Sequence, residues 1–208
     1  MTITLSKGDL PESFDWSAAR DGCVAVDSET LGLNPVRDRL CVVQLSLGDG
    51  NAHLVQLAQG EYKAPRLKAL MADTSVTKIF HYARFDVAVM KAYLSVETTP
   101  IYCTKIASKL VRTYTDRHGL KDVVKEAAGV DLSKQQQSSD WGADELSDAQ
   151  KHYAASDVLH LHDVKAWLDT RLAREGRAEM AQACFDFLPT RAALDLGGWP
   201  ETDIFAHS

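Results

Sequence analysis

The stretch that most constrains this chain is 157-DVLHLHDVKAWLDTRL-172. Asp157 falls in line there with Leu161, Val164, Leu168 and Leu172 at helical spacings of 4, 3, 4 and 4. An acid on the stripe that a helix buries is badly placed unless it is paired or binds a cation, because a bare carboxylate is costly to remove from water. No Arg or Lys is written at the same facing positions. Whatever fold forms must therefore bring other groups to Asp157.

Three other acids share its predicament. In 24-VAVDSETLGL-33 the side chains of a strand alternate, so Asp27 and Glu29 project to one side and Ser28 to the other. A lone pair of this kind usually ends in a solvated turn. In 81-HYARFD-86, Asp86 opens an apolar stripe continued by Val89, Met90 and Tyr93, although a first-turn acid is also favoured by the helix dipole. A common cation site relieves all four acids at once. Hard oxygen ligands suit Mg²⁺ or Mn²⁺, and four carboxylates can hold two ions about 4 Å apart, the arrangement used in phosphoryl transfer.

Val- and Leu-rich runs at 23-CVAVDSE-29, 40-LCVVQLSL-47 and 52-AHLVQL-57, parted by turn signals, predict a three-stranded meander. Helical spacing follows over 66–72, 84–94, 104–112 and 120–128, with short strands near 78–80 and 100–103. One helix is then expected from about Ser147 to Arg174 and another from about Arg177 to Ala193, with a loop over 133–145 between the mixed and the helical parts. The pattern is that of an α/β fold, a mixed central sheet flanked by helices. With 208 residues, 45% of them hydrophobic, the chain suits a single domain over 1–208, its motifs within about 20–170 and a C-terminal helix and tail over 175–208. The tail from Asp195 has no periodicity and is expected to order only by packing on something else.

No apolar run approaches a membrane span, and the N-terminal residues lack the basic flank and greasy centre of a signal, so a cytoplasmic protein is expected. Cys23, Cys41, Cys103 and Cys184 lie far apart and are expected to be reduced and buried. The net charge of −6 argues against a broad basic face for long nucleic acid, but not against nucleic acid in a small pocket.

The motifs DSE at 27–29, HYARFD at 81–86 and YAASD at 153–157 together resemble the three exonuclease motifs of the DEDD superfamily. With RLCVVQLS at 39–46 and SSDW at 138–141, the chain resembles the ribonuclease D branch, 3′–5′ exoribonucleases on a ribonuclease H-like fold. The similarity runs from about Cys23 to about Val164. A short chain without the helical domain that follows in ribonuclease D is most similar to the nanoRNase C group, which degrades very short RNA and assembles into rings. Tyr82 departs from the small polar residue that many relatives carry there.

The resemblance implies roles for particular residues. Asp27, Glu29 and Asp157 would hold one Mg²⁺ or Mn²⁺ ion, and Asp27 and Asp86 a second, Asp86 partly through water. Glu29 and the Thr30 backbone would meet the terminal 3′-hydroxyl, with Leu33 wedged against the last base. His81, Tyr82 and Arg84 are further candidates for substrate contact. It also implies a homo-oligomeric ring acting on short RNA 3′ ends. Trimming of longer RNA, attack on DNA, and a non-catalytic binding module of the same fold are the alternatives.

The superfamily divides on whether a histidine stands five residues before the last aspartate or a tyrosine four before it, and this chain has both, His152 and Tyr153. At about 100° per residue, position 153 lies roughly 40° from the Asp157 direction and position 152 roughly 140° away. Tyr153 is therefore the expected catalytic residue and His152 should point outward.

Overall fold

The protein was analysed as a computed structural model that describes residues 1–133, 135–136 and 138–207. Strands β2 (Cys23–Thr30), β3 (Leu40–Ser46) and β4 (Ala52–Gln56) form the expected antiparallel meander, with Asp27 directly opposite Gln44. All seven residues of β3 are buried, which is why it reads as an unbroken apolar run and not as an alternating one. The chain crosses through α1 (Pro65–Ala72) to β5 (Thr77–Phe80), on the far side of β2, and through α2 (Ala83–Val89) to β6 (Ile101–Cys103). Both of these strands pair parallel, β5 with β2 and β6 with β5.

A strand that the sequence pattern does not announce, β1 (Ile3–Lys7), pairs parallel with β4 and completes the order β1-β4-β3-β2-β5-β6. None of its side chains is fully buried, so backbone pairing at a sheet edge defines it and leaves little hydrophobic signature. Only β3 runs against the others.

The remaining helices are α3 (Thr104–Val111), α4 (Leu120–Ala128), α5 (Asp148–Leu159), α6 (Leu161–Arg174) and α7 (Ala178–Leu196). The single helix expected from Ser147 to Arg174 is in fact broken at His160, whose φ of −104° and ψ of −3° end α5 and begin α6. The break lets α5 pack across β2, β3 and β4 while α6 packs on α3 and α4. Leu161, Val164, Leu168 and Leu172 are buried as the stripe required, and Asp157 stays on α5.

The helix expected over 84–94 continues past Val89 as wider π turns over Met90–Leu94. The tail packs on its own chain: Trp199 N–H donates to the Leu194 carbonyl at 2.9 Å, and the Phe205 ring lies 6.0 Å from that of Phe187. All four cysteines are free; Cys184, expected to be buried like the others, is only partly so.

Lys78, fully buried in β5, anchors the start of the strand that leads to Asp86. Its ammonium donates to the carbonyls of Asp73, Val76 and Thr99 at 2.7, 2.7 and 2.6 Å. Removing the donor strands buried acceptors at about 1–3 kcal/mol each. Lys78→Met is expected to lower unfolding free energy by ~3 kcal/mol or more in urea titrations. A loss under ~1 kcal/mol would mean that water replaces the ammonium at those carbonyls.

Candidate active site

Asp27 and Glu29 lie near the carboxyl end of β2, a central strand held on both sides, and Asp157 approaches from α5. One carboxylate oxygen from each of the three lies within 4.8 Å of the other two. A bulge follows immediately, between Glu29 and Thr30, and turns the chain out of the sheet. The Thr30 hydroxyl then donates to the Gly32 carbonyl. Gly32 is required by close approach, because a Cβ there would sit 2.3 Å from an Asp38 oxygen. Asp38 and Asn34 fold the loop over 30–38 upon itself and leave Leu33 89% exposed at the rim of the cleft.

Asp86 arrives from the opposite face of β2. It is buried, and the Ser28 hydroxyl donates to its Oδ1 at 2.6 Å, so the residue between the two strand acids positions the fourth. Gln44, fully buried across the ladder from Asp27, donates from Nε2 to Asp27 Oδ2 at 3.3 Å and to Glu29 Oε1 at 3.4 Å. Sequence reasoning passed over both partners. The signal for Gln44 was a lone amide inside the apolar run LCVVQLSL.

The electrostatics follow from burial. Burial lifts the Asp27 carboxyl to about 7, the Ser28 backbone N–H working against it. Burial, then the charges of Asp27, Asp157 and Asp86, lift Glu29 to about 10. Asp157 rises to about 8 through burial and Asp27, opposed by the hydrogen bond from Tyr153. Asp86 is pushed well up by burial and Asp27. Among the described residues no cationic side chain offsets any of the four. Clustered, desolvated oxygen donors without a basic partner fit a hard divalent cation.

Tyr153 and His152 separate as helix geometry predicts. Tyr153 lines the cleft facing Asp157, its ring 6.1 Å from buried Trp141 of the SSDW segment. His152 is exposed and bonds back to the Asp148 carbonyl. A capping box between Ser147 and Gln150 starts α5, and Gln150 also donates to the Asp140 carbonyl, tying Trp141 to that helix.

His81, Tyr82, Thr30 and Leu33 all line the same cleft of about 630 Å³. His81 bonds through Nδ1 to the Thr104 hydroxyl at 2.8 Å and is held neutral, at about 3, chiefly by burial. Tyr82 takes a left-handed backbone (φ 74°, ψ 43°), with the Lys105 ammonium 4.2 Å from its ring centre. Arg84 differs from expectation. It turns away from the cleft and donates twice to Asp195 of α7, both at 2.7 Å, because that buried carboxylate supplies its counter-charge.

A strand-end acid pair, a helix acid on each side and a tyrosine one turn before the last define a 3′–5′ exonuclease site of the DEDD type. A family model described as 3′–5′ exonuclease matches residues 4–173, and the chain belongs to that family. Within it the chain is ribonuclease D-like and NrnC-like. Ribonuclease D of Acidiphilium cryptum is 37% identical over 161 residues, covering 77% of this chain and 41% of its own length. The chain thus spans about two fifths of that curated relative. Brucella melitensis NrnC bound to pGG is 57% identical with a TM-score of 0.94, and the same protein with bound Mg²⁺ is 56% identical with 0.93; each match covers 100% of both chains. Escherichia coli RNase D is 25% identical, with a TM-score of 0.72 over 82% of this chain and 45% of its own.

The raised carboxyls make the metal-free site a source of instability. A carboxyl whose folded pKa exceeds its unfolded value contributes stability below the unfolded value and loses it as pH rises through the folded one. For Glu29 that window runs from 4.5 to about 10. Measured against Glu29→Gln, which removes this acid and its repulsion of Asp27, Asp86 and Asp157, the wild type in EDTA should lose stability from pH 5 to pH 9. Mg²⁺ or Mn²⁺ should restore it. Thermal unfolding checks this, and a wild type that gains on the variant with rising pH contradicts it.

Proposed function

We propose that the protein is a metal-dependent 3′–5′ exoribonuclease that degrades very short RNA to nucleoside monophosphates. The observation that carries this reading is the gathering of Asp27, Glu29 and Asp157 within 4.8 Å, beneath Tyr153 and, among the described residues, without an opposing cation. In this reading Asp27, Glu29 and Asp157 hold one ion, and Asp27 and Asp86 the other. Two divalent cations, Mg²⁺ or Mn²⁺, supply when bound the acidification of water and the neutralisation of charge on the scissile phosphate.

The chain's own groups do the rest. Glu29 and the Thr30 backbone hold the 3′-hydroxyl and so measure from the end of the strand, while Leu33 lies against the last base. Tyr153 is raised above an ordinary phenol by burial and by the Asp157, Glu29 and Asp27 charges, so it keeps its proton. It serves to orient the attacking water and is a poor base.

Short substrates are supported by the cleft and by charge. A volume of about 630 Å³ suits a few nucleotides. Lys105 and Lys121 are its two basic residues of the lysine and arginine type among the described residues, too few for affinity built on distant phosphates. A homologue binds pGG. A single domain over 1–208, ring assembly and a cytoplasmic site belong to the same reading; light scattering measures the assembly. The similarity to ribonuclease D keeps trimming of longer RNA, or of DNA, as the second reading.

Digestion of end-labelled RNA and DNA of graded length, with Mg²⁺, Mn²⁺ or EDTA, tests the assignment. The expected result is cation-dependent release of monophosphates, with kcat/KM ceasing to rise within a few nucleotides and changing little with salt. A steep rise with length that collapses in salt would return the enzyme to general trimming. In the same assay Tyr153→Phe should lose at least about 100-fold in kcat with KM nearly unchanged, whereas His152→Ala should stay within about twofold of wild type. An inactive histidine variant beside an active tyrosine variant would reverse the assignment of these two residues.

A further inference from the structure

The segment 39-RLCVVQLS-46 supplies none of the four acids, yet it carries an amide, Gln44, that is fully buried in β3. Gln44 stands directly opposite Asp27 on β2 and Leu54 on β4. Val42 and Leu54, which share its face of the sheet, are buried in one apolar cluster with Ala154 of α5. Such surroundings make an amide expensive, because both its polar groups leave water. Only half of that cost is met. Nε2 donates to Asp27 and Glu29, whereas Oε1 is buried and, among the described residues, has no partner. Methionine would fill the same space without stranding a polar atom, so packing alone does not account for glutamine here. The two acids do.

The orientation of the amide follows from its partners. Carboxylates that hold a cation can only accept hydrogen bonds, so the amide must present nitrogen, whose two N–H groups match one oxygen of each acid. Among the described residues no other side chain donates to Asp27 or Glu29. We propose that Gln44 is a positioning residue for the ion held by Asp27, Glu29 and Asp157, and that it sets the affinity of the site for Mg²⁺ or Mn²⁺ without entering the chemistry. This rests on the metal-dependent reading above. Holding one oxygen of each acid against β3 limits how far the two carboxylates turn from one another when no cation draws them together. A neutral donor does so without the competing charge that Lys or Arg would bring. Partners that orient metal ligands in this way are worth about 10–100-fold in affinity.

The test uses the full chain as wild type, Gln44→Met and Gln44→Asn. Methionine keeps the volume and removes the donor, while asparagine keeps the amide and withdraws it by one methylene. Mn²⁺ binding is measured by calorimetry at fixed pH, beside thermal unfolding in EDTA and cleavage of a dinucleotide over a Mg²⁺ series. Both variants should unfold cooperatively, bind Mn²⁺ at least about tenfold more weakly and need correspondingly more Mg²⁺ for half-maximal cleavage. At saturating Mg²⁺ their kcat should return to within about twofold of wild type. Wild-type Mn²⁺ affinity in either variant, or a kcat that stays low at saturating Mg²⁺, overturns the assignment and leaves the exoribonuclease reading intact. Loss of cooperative unfolding in both variants also overturns it and makes Gln44 a packing residue. A wild type that binds no Mn²⁺ and cuts RNA in EDTA overturns the metal-dependent reading as well.

Discussion

Mutual repulsion among desolvated carboxylates governs this molecule, because Asp27, Glu29 and Asp157 are held within 4.8 Å where, among the described residues, no cationic side chain reaches them. Left free to move, such groups would separate into solvent. The chain holds two of them on β2, with β3 on one side and β5 on the other, the part of a sheet least able to deform. The third is carried by a helix packed across that strand and its neighbours. Val24, Ala25, Val26, Leu40 and Leu45 are wholly buried around this strand and supply the apolar burial against which the charge cluster works.

The polar residues behind the acids act on their orientation more than on their charge. Ser28 faces away from Asp27 and Glu29, yet its hydroxyl fixes one oxygen of Asp86, so a single tripeptide positions three of the four carboxylates. Gln44 reaches two acids with one amide, at distances of 3.3 and 3.4 Å that mark weak bonds. Weak donors suit ligands that must rearrange around a cation, whereas a strong ion pair would neutralise them and compete with it.

Much of this was legible in the sequence, for reasons that can be named. The period of two in VAVDSET placed Asp27 and Glu29 on one face, and about 100° per residue separated Tyr153 from His152. Patterns of that kind survive folding because they are local. What escaped was set by partners distant in sequence. Arg84 read as a substrate contact because it lies inside HYARFD, but Asp195, on α7, claims it. The break at His160 was hidden because the apolar stripe runs through it without a shift of phase, and no Gly or Pro marks the bend. The edge strand β1 has too little buried surface to write a pattern.

Tyr82 shows how backbone and site are coupled. A bulky residue in the left-handed region costs on the order of 1 kcal/mol or more, and such positions persist only where the surroundings fix them. Here the fixing elements are visible. β5 enters from one side, α2 starts immediately after, and Arg84, two residues on, is held by Asp195 and the Pro200 carbonyl. The same first turn delivers Asp86 to Ser28. A glycine at position 82 would relax the backbone but remove the ring that Lys105 covers and that borders the cleft. The strain is thus tied to an aromatic wall of the cleft that holds the carboxylates, and the tail residues that hold Arg84 bear indirectly on where that wall stands.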